Sequence, residues 1–230
     1  MAFLTMVHTA SSIDPALRVE RRGRVRGLYV IVDPQNTLER EPLDIVRGAL
    51  EGGASVIQLR DKRDKGYILP LAREIAALCQ AHRALFIVND HVDIAILAQA
   101  DGVHLGQHDL PLAEARRLLP AETIVGVSTA LLEEALEAQR AGADYIAIGA
   151  IYPTNSKEQT RPAGLETLRQ VRAHISDRPL VAIGGINETN ATAVRAAGAG
   201  AVAVISAVAG ARDVRLAAQR LVSLLAQGPS

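Results

Sequence analysis

The chain has 230 residues, 49% of them apolar, with 25 basic and 25 acidic side chains. This balance excludes a broad electrostatic attraction to nucleic acid or to anionic lipid, and no apolar run is long enough to span a membrane. The length suits one large α/β domain or two small ones, and the one cysteine, Cys79, can form no disulfide within the chain, which is typical of a reducing, cytoplasmic compartment.

The first 26 residues are basic towards their end, with arginines at positions 18, 21, 22, 24 and 26. They lack the apolar region that follows the charged start of an export signal. We expect a loosely ordered N-terminal extension over residues 1–26, with an additional packed helix as the alternative. Residues 27–230 are expected to form a single folded domain.

Short β-branched runs alternate with amphipathic segments from Leu28 onwards. The predicted strands are 28–32, 55–59, 85–88, 103–105, 124–127, 145–148, 180–183 and 201–205. The predicted helices are 42–52, 66–82, 92–97, 111–119, 131–141, 164–173, 190–197 and 214–226. Strict alternation of strand and helix predicts a parallel sheet.

A short repeat precedes every second strand. It occurs as Gly53-Ala-Ser, Gln99-Ala-Asp, Gly142-Ala-Asp and Gly198-Ala-Gly, spaced by roughly two strand–helix units. Such a repeat favours a closed barrel over an open doubly wound sheet. The open sheet would also need a glycine-rich fingerprint after the first strand, where this chain has Asp33-Pro-Gln-Asn. The fold class is therefore predicted to be α/β, a single (β/α)8 TIM barrel.

Two aspartates follow neighbouring predicted strands, Asp90 after the third and Asp109 after the fourth. In a parallel barrel both would lie at the carboxyl rim, where two carboxylates suit a hard cation such as Mg²⁺. The alternative is that Asp90 and Asp109 each cap the helix that follows.

The rest of the predicted rim divides into two parts. The loops after strands 7 and 8 offer Gly184-Gly185 and Ser206, which suit a phosphate held by backbone N–H groups, although the glycines could simply form a tight turn. The loops after strands 2 and 6 offer Arg60, Lys62 and Lys157. Together with the aspartates, these cations indicate a pyrophosphate held through Mg²⁺. The alternative for Arg60-Asp61-Lys62 is a solvated charge cluster, and we expect Asp61 to point away from the cavity.

No catalytic triad is recognisable in the sequence, and no lysine is placed on a strand where it could form a Schiff base. His104 falls within a predicted strand, which favours a packed histidine. His91 and His108 flank the two aspartates, and the sequence leaves their roles open.

Eight short motifs in the same order resemble the thiamine phosphate synthase family, over residues 28–207. The motifs are Leu28-Tyr-Val-Ile-Val-Asp33, Gln58-Leu-Arg-Asp-Lys62, Val88-Asn-Asp90, Gly102-Val-His-Leu-Gly-Gln-His-Asp109, Gly126-Val-Ser128, Gly142-Ala-Asp-Tyr (through Pro153-Thr-Asn-Ser-Lys157), Ala182-Ile-Gly-Gly-Ile186 and Val204-Ile-Ser206. The resemblance implies a transferase that joins 4-amino-2-methyl-5-hydroxymethylpyrimidine pyrophosphate to a thiazole phosphate and releases pyrophosphate. It implies a dissociative substitution that needs no protein nucleophile.

The resemblance also implies roles for individual residues. Asp90 and Asp109 resemble the Mg²⁺ ligands of the family. Contacts to the pyrimidine pyrophosphate are implied for Gln58, Arg60, Lys62, Asn89, Ser128 and Lys157, and among these Arg60, Lys62, Ser128 and Lys157 are expected to be catalytic. Contacts to the thiazole phosphate are implied for Thr154, Asn155, Ser156, Gly185, Ile205 and Ser206.

Three other functions stay open at this point. A thiazole tautomerase of the same fold would lack the full set of pyrophosphate residues, and a sugar-phosphate isomerase would have no use for a second anion site. A barrel that only binds a phosphorylated ligand would tolerate loss of the metal ligands. We expect small-molecule substrates and neither a nucleic-acid nor a membrane partner, and a homo-oligomer remains open. His108 and Tyr152 depart from the family's usual residues.

Overall fold

The computed structural model describes residues 15–36, 40–154 and 161–226. Eight parallel strands close into a barrel in the order β1-β2-β3-β4-β5-β6-β7-β8, which confirms the predicted TIM barrel. The strands are β1 Gly27–Val32, β2 Val56–Leu59, β3 Leu85–Asn89, β4 Gly102–Leu105, β5 Ile124–Thr129, β6 Tyr145–Ile148, β7 Leu180–Ile183 and β8 Ala201–Val204.

Helices follow the strands around the outside of the barrel. They are α1 Pro15–Gly23, α2 Pro42–Glu51, α3 Lys65–Ala81, α4 Val92–Leu97, α5 Leu112–Leu118, α6 Leu132–Arg140, α7 Gly164–His174, α8 Ala191–Ala196, α9 Ser206–Ala209 and α10 Val214–Ala226. The short helix α9, between β8 and α10, was not among the predicted helices. Within the described residues, no helix is both long and apolar enough to cross a membrane.

The core has two layers because successive residues of a strand point to opposite faces of the sheet. Side chains such as Leu28, Val30 and Val103 point outward and pack against the helices. Side chains such as Ile31, Ile87 and Ile124 point inward and fill the barrel. Since both faces are covered, the strands carry the nearly continuous apolar runs from which they were predicted.

The sequence repeat marks one kind of turn. Gly53, Gln99, Gly142 and Gly198 all adopt a positive φ, at 93°, 53°, 89° and 106°. Each ends a helix, and the next residue donates its N–H back into that helix, as Ala54 does to the Ala49 carbonyl at 3.0 Å. This is the hydrogen bond of a Schellman cap, which turns the chain from a helix into the following strand.

Part of the N-terminal extension is ordered against the barrel. Residues Pro15–Gly23 form α1, so this segment is the additional helix rather than a loose tail. The Arg18 Nε atom lies 2.8 Å from Asp144 Oδ1, and the Arg21 Nε atom lies 3.0 Å from Asp101 Oδ1. Since both aspartates directly precede strands, α1 lies at the amino-terminal end of the barrel. Residues 1–14 lie outside the described part of the chain.

Candidate active site

A cavity of about 1130 Å³ opens at the carboxyl ends of the strands. The predicted binding residues that line it are Gln58, Arg60, Asn89, Ser128, Thr154, Gly185, Ile205 and Ser206. Lys62, Asp90 and Asp109 are not part of this lining, although Asn89 and His108, next to the two aspartates in sequence, are. The predicted Asn155, Ser156 and Lys157 lie outside the described residues.

Asp90 and Asp109 lie beside this cavity with their carboxyl groups hydrogen-bonded to each other. Asp90 has a left-handed backbone with φ 64°, and its N–H donates to the His104 carbonyl at 2.8 Å. Asp109 Oδ2 accepts a hydrogen bond from the Gly106 N–H at 2.7 Å. The loops after β3 and β4 therefore bring the two predicted metal ligands into direct contact.

The environment separates the pKa values of these two carboxyl groups. Burial raises the pKa of Asp109, and the hydrogen bond to Asp90 raises it further. Burial also acts to raise the pKa of Asp90, but the hydrogen bonds from Asp109 and from Lys62 outweigh it and lower the pKa. Two carboxylates this close repel one another unless a proton or a cation lies between them.

Helix capping does not explain the two aspartates. The residue before α4 is His91 and the residue before α5 is Pro111, and neither helix start has a side-chain cap. Within the described residues, no cluster of three or more His, Cys, Asp or Glu side chains could hold a metal ion. Asp90 and Asp109 are therefore a two-carboxylate set, which leaves most positions around a hard cation to water or to a ligand.

Both described cations of the predicted pyrophosphate site have carboxylate partners. Lys62 pairs with Asp90, and Arg60 pairs with Asp33, which is buried at the end of β1. The sequence places Asp33 directly after the first strand but does not show which cation it meets. A fixed carboxylate orients the planar guanidinium group, so Asp33 holds Arg60 at the wall of the cavity.

The glycine loop lies on the opposite side of the cavity. Gly184 and Gly185 have positive φ values of 105° and 63°, and the Asn190 side chain donates to the Gly185 carbonyl at 3.0 Å. Ser206 begins α9 beside this loop and is exposed. Among the described lining residues these loops provide backbone and hydroxyl groups, as expected for a phosphate site.

The floor of the cavity consists of polar side chains that sequence reasoning largely missed. Tyr29 from β1 and Tyr145 from β6 are almost completely buried, and both line the cavity together with His104. His104 is packed, as predicted, but it also hydrogen-bonds Ser128, one of the predicted site residues, at 2.8 Å. The available signal was position, because both tyrosines occupy inward-facing positions of their strands.

Asp61 is absent from the cavity lining, as expected of a side chain that points away, but it is not solvated. Its carboxylate is buried and accepts hydrogen bonds from the Arg63 side chain and backbone. Burial acts to raise the pKa of Asp61, and the hydrogen bonds from Arg63 outweigh it and lower the pKa. The hydrogen bonds between Asp61 and Arg63 therefore stabilise the start of the loop after β2. Arg60 and Lys62 face the opposite side of this loop from Asp61.

The family model described as thiamine monophosphate synthase matches residues 28–208. The chain is 47% identical over 201 residues to a thiamine-phosphate synthase of Methanospirillum hungatei, covering 86% of this chain and 97% of the relative. A thiamine-phosphate synthase of Moorella thermoacetica is 50% identical over 196 residues, covering 84% and 93%. The solved structure of a thiamine phosphate pyrophosphorylase from Pyrococcus furiosus superimposes with a TM-score of 0.81 at 42% identity, covering 90% of this chain and 97% of that one.

Proposed function

This chain belongs to the thiamine monophosphate synthase family of transferases, and we propose that its cavity joins a pyrimidine pyrophosphate to a thiazole phosphate, giving thiamine phosphate and pyrophosphate. The observation that carries this proposal is the arrangement of charged and polar groups in and beside the cavity. Arg60 lines the cavity, Lys62 and the acidic pair lie beside it, and a glycine loop with a hydroxyl group lies across from them. Two separate anion sites fit two phosphorylated substrates.

The pyrimidine pyrophosphate would bind between β2 and β5. Arg60 and Lys62 would contact the pyrophosphate, while Gln58, Asn89 and Ser128 would orient the pyrimidine and the reacting carbon. Heterolysis of the bond between this carbon and the pyrophosphate oxygen places negative charge on the leaving group. Fixed cations stabilise that charge without reorganising during the step, so catalysis would be largely electrostatic.

Asp90 and Asp109 would hold Mg²⁺ beside these cations. The donor set fits, because two carboxylates in contact satisfy a hard cation and leave positions for phosphate oxygens. The bound ion would supply charge neutralisation for the leaving pyrophosphate. Lys62, which pairs with Asp90, would then be released to contact the pyrophosphate itself.

The thiazole phosphate would bind at the other end of the cavity. Its phosphate would contact the backbone at Gly185 and Ile205 and the hydroxyl of Ser206, and Thr154 would contact the same substrate. The thiazole nitrogen would attack the freed carbon, so the substitution implied by the resemblance would need no protein nucleophile. For Asn155, Ser156 and Lys157, the roles implied by the resemblance stay predictions.

The deciding experiment supplies the purified protein with both substrates and Mg²⁺ and measures thiamine phosphate and pyrophosphate together. Equimolar formation of the two products supports the proposal. Absence of both products with fresh substrates would overturn it, and isomerisation of the thiazole phosphate alone would favour a tautomerase. Repeating the assay with a chelator tests whether turnover depends on the metal.

A further inference from the structure

Five polar side chains form one continuous series of hydrogen bonds across the floor of the cavity, which we call the floor network. Gln58 Nε2 lies 2.7 Å from the Tyr29 hydroxyl, which lies 3.0 Å from the Tyr145 hydroxyl. The Tyr145 hydroxyl lies 3.0 Å from His104 Nδ1, and His104 Nε2 lies 2.8 Å from Ser128 Oγ. All five residues line the cavity, and all but Ser128 are buried.

The packing around Tyr145 keeps this network in place. The rings of His104 and Tyr145 are stacked, with centroids 5.6 Å apart and an interplanar angle of 24°. Gly126 lies between them in the sheet, paired in register with both residues. A side chain at Gly126 would overlap the Tyr145 ring, so the glycine of this motif provides the space in which the two rings meet.

The count of available protons gives the network a direction. The amide nitrogen of Gln58 can only donate, so the Tyr29 hydroxyl accepts from it. In the described part of the chain, the other hydrogen-bond partner of this buried hydroxyl is Tyr145. The proton of Tyr29 must therefore go to Tyr145, because the opposite arrangement would leave it buried without an acceptor.

The same reasoning continues to the end of the network. Tyr145 accepts from Tyr29, so its single proton goes to His104 Nδ1. A neutral imidazole carries one proton, which then lies on Nε2 and is donated to Ser128 Oγ. Burial raises the pKa of Tyr29 and of Tyr145, so both phenols keep their protons and remain donors.

We propose that Tyr29, Tyr145 and His104 are positioning residues for Ser128. The two tyrosines hold His104 as the neutral Nε2–H tautomer. His104 then donates to Ser128 Oγ, which leaves the hydroxyl proton of Ser128 to be donated to a ligand in the cavity. The tautomer stands on the geometry of the free protein alone, whereas its effect on turnover rests on the proposed function. The ligand group at Ser128 is then an acceptor, such as a phosphate oxygen or an unprotonated ring nitrogen.

The first test reads the tautomer directly in the absence of substrate. Long-range ¹H–¹⁵N NMR of the imidazole rings distinguishes protonated from unprotonated nitrogens, and a His104→Gln variant identifies the His104 signals. We expect a proton on Nε2 and none on Nδ1 in the unaltered protein. A proton on Nδ1, or on both nitrogens, would overturn the proposal, because the network would then run in the opposite direction or be broken.

Removing one hydroxyl group tests whether Tyr145 sets this tautomer. Tyr145→Phe keeps the ring and its stacking but removes the acceptor and donor between Tyr29 and His104. We expect His104 to become a mixture of both tautomers in this variant. The matched control is Tyr67→Phe, which removes the same group from an exposed ring outside the cavity and should leave the His104 signals unchanged. An unchanged tautomer in Tyr145→Phe would contradict the inference, and Tyr29→Phe serves if Tyr145→Phe does not fold.

A double-mutant cycle links the network to turnover. If Tyr145 acts through Ser128, Tyr145→Phe should lower kcat by about 3- to 10-fold, the range expected for one hydrogen bond, and should have no effect in a Ser128→Ala background. An equal loss in both backgrounds would mean that Tyr145 supports the fold and does not act through Ser128. If the unaltered protein makes no thiamine phosphate, the proposed function fails while the NMR result stands.

Discussion

Replacing Gly185 by alanine should weaken binding of the thiazole phosphate more than it weakens the fold. Gly185 lies where the loop after β7 meets the loop after β6, and its φ is 63°. A Cβ atom there would lie 2.6 Å from the Pro153 carbonyl oxygen and 2.8 Å from Tyr152 Cβ. The loop after β6 would have to retreat by roughly 0.8 Å, the difference between 2.6 and 3.4 Å, where ordinary contact begins.

Two separate costs follow from this geometry. A left-handed backbone costs alanine about 1–2 kcal/mol, and overpacking typically costs about 1–3 kcal/mol more. Gly142→Ala isolates the first cost, since Gly142 has φ 89°, has open space around its missing Cβ and lies at the other end of the barrel. We expect the backbone cost to lower the Tm of both variants by roughly 2–8 °C. The overpacking should add little to the loss in Gly185→Ala, because the loop after β6 can move away from the new Cβ atom.

The overpacking should then appear at the active site. A displaced loop must be pushed back when substrate binds, so the KM for thiazole phosphate should rise by about 5- to 150-fold in Gly185→Ala and stay unchanged in Gly142→Ala. Steady-state kinetics with each substrate varied in turn, together with thermal melts, measure both effects. An unchanged KM in Gly185→Ala, or an equal rise in both variants, would refute the reasoning.

Four further predictions concern other parts of the molecule. Asp90→Ala should abolish turnover but leave thiazole phosphate binding intact, as measured by calorimetry; loss of both would contradict two separate anion sites. Because the pKa of Asp109 is raised in the folded protein, the stability that its protonated carboxyl group contributes below the ordinary pKa is lost as the pH rises through the raised value. Asp109→Asn should therefore make the metal-free protein more stable at neutral pH. An unchanged Tm at that pH would argue against the raised pKa. Asp33→Asn should raise the KM for the pyrimidine pyrophosphate by about tenfold because Arg60 loses its charged partner, whereas an unaffected KM would mean that Arg60 needs no orientation. Arg21→Ala should lower the free energy of unfolding by about 1–2 kcal/mol, or the Tm by roughly 2–8 °C, because the ion pair with Asp101 is lost. The kcat should be preserved because this pair lies at the far end of the barrel from the site, and a fall in kcat would connect α1 to the site.

The barrel could be predicted from the sequence because its signals are local. Each strand is a short apolar run, each helix has its own periodicity, and the repeat at Gly53, Gln99, Gly142 and Gly198 reflects a turn formed within a few residues of chain. The carboxyl ends of parallel strands lie at one rim, so the residues after each strand were candidates for the site before any contact was known. Asp90, Arg60 and Ser128 were found in this way.

Other parts of the site could not be predicted because they depend on partners far apart in the chain. Tyr29 and Tyr145 are separated by 116 positions, and their hydroxyl groups meet only because the closed barrel points both inward at the same level. Arg60 meets Asp33 because β2 pairs with β1 in one particular register. The sequence predicted that these groups lie near the rim but not which of them share a hydrogen bond.

The sequence by itself therefore determined the fold, the rim and the chemical types available there, since periodicity and strand-end position are properties of short segments. Only the tertiary structure decided how those groups are paired, that α1 lies against the barrel, and that the floor of the cavity is a directed hydrogen-bond network. The physical reason is that pairing depends on register and closure, which bring distant residues within about 3 Å of each other, while periodicity constrains only the direction in which each side chain points.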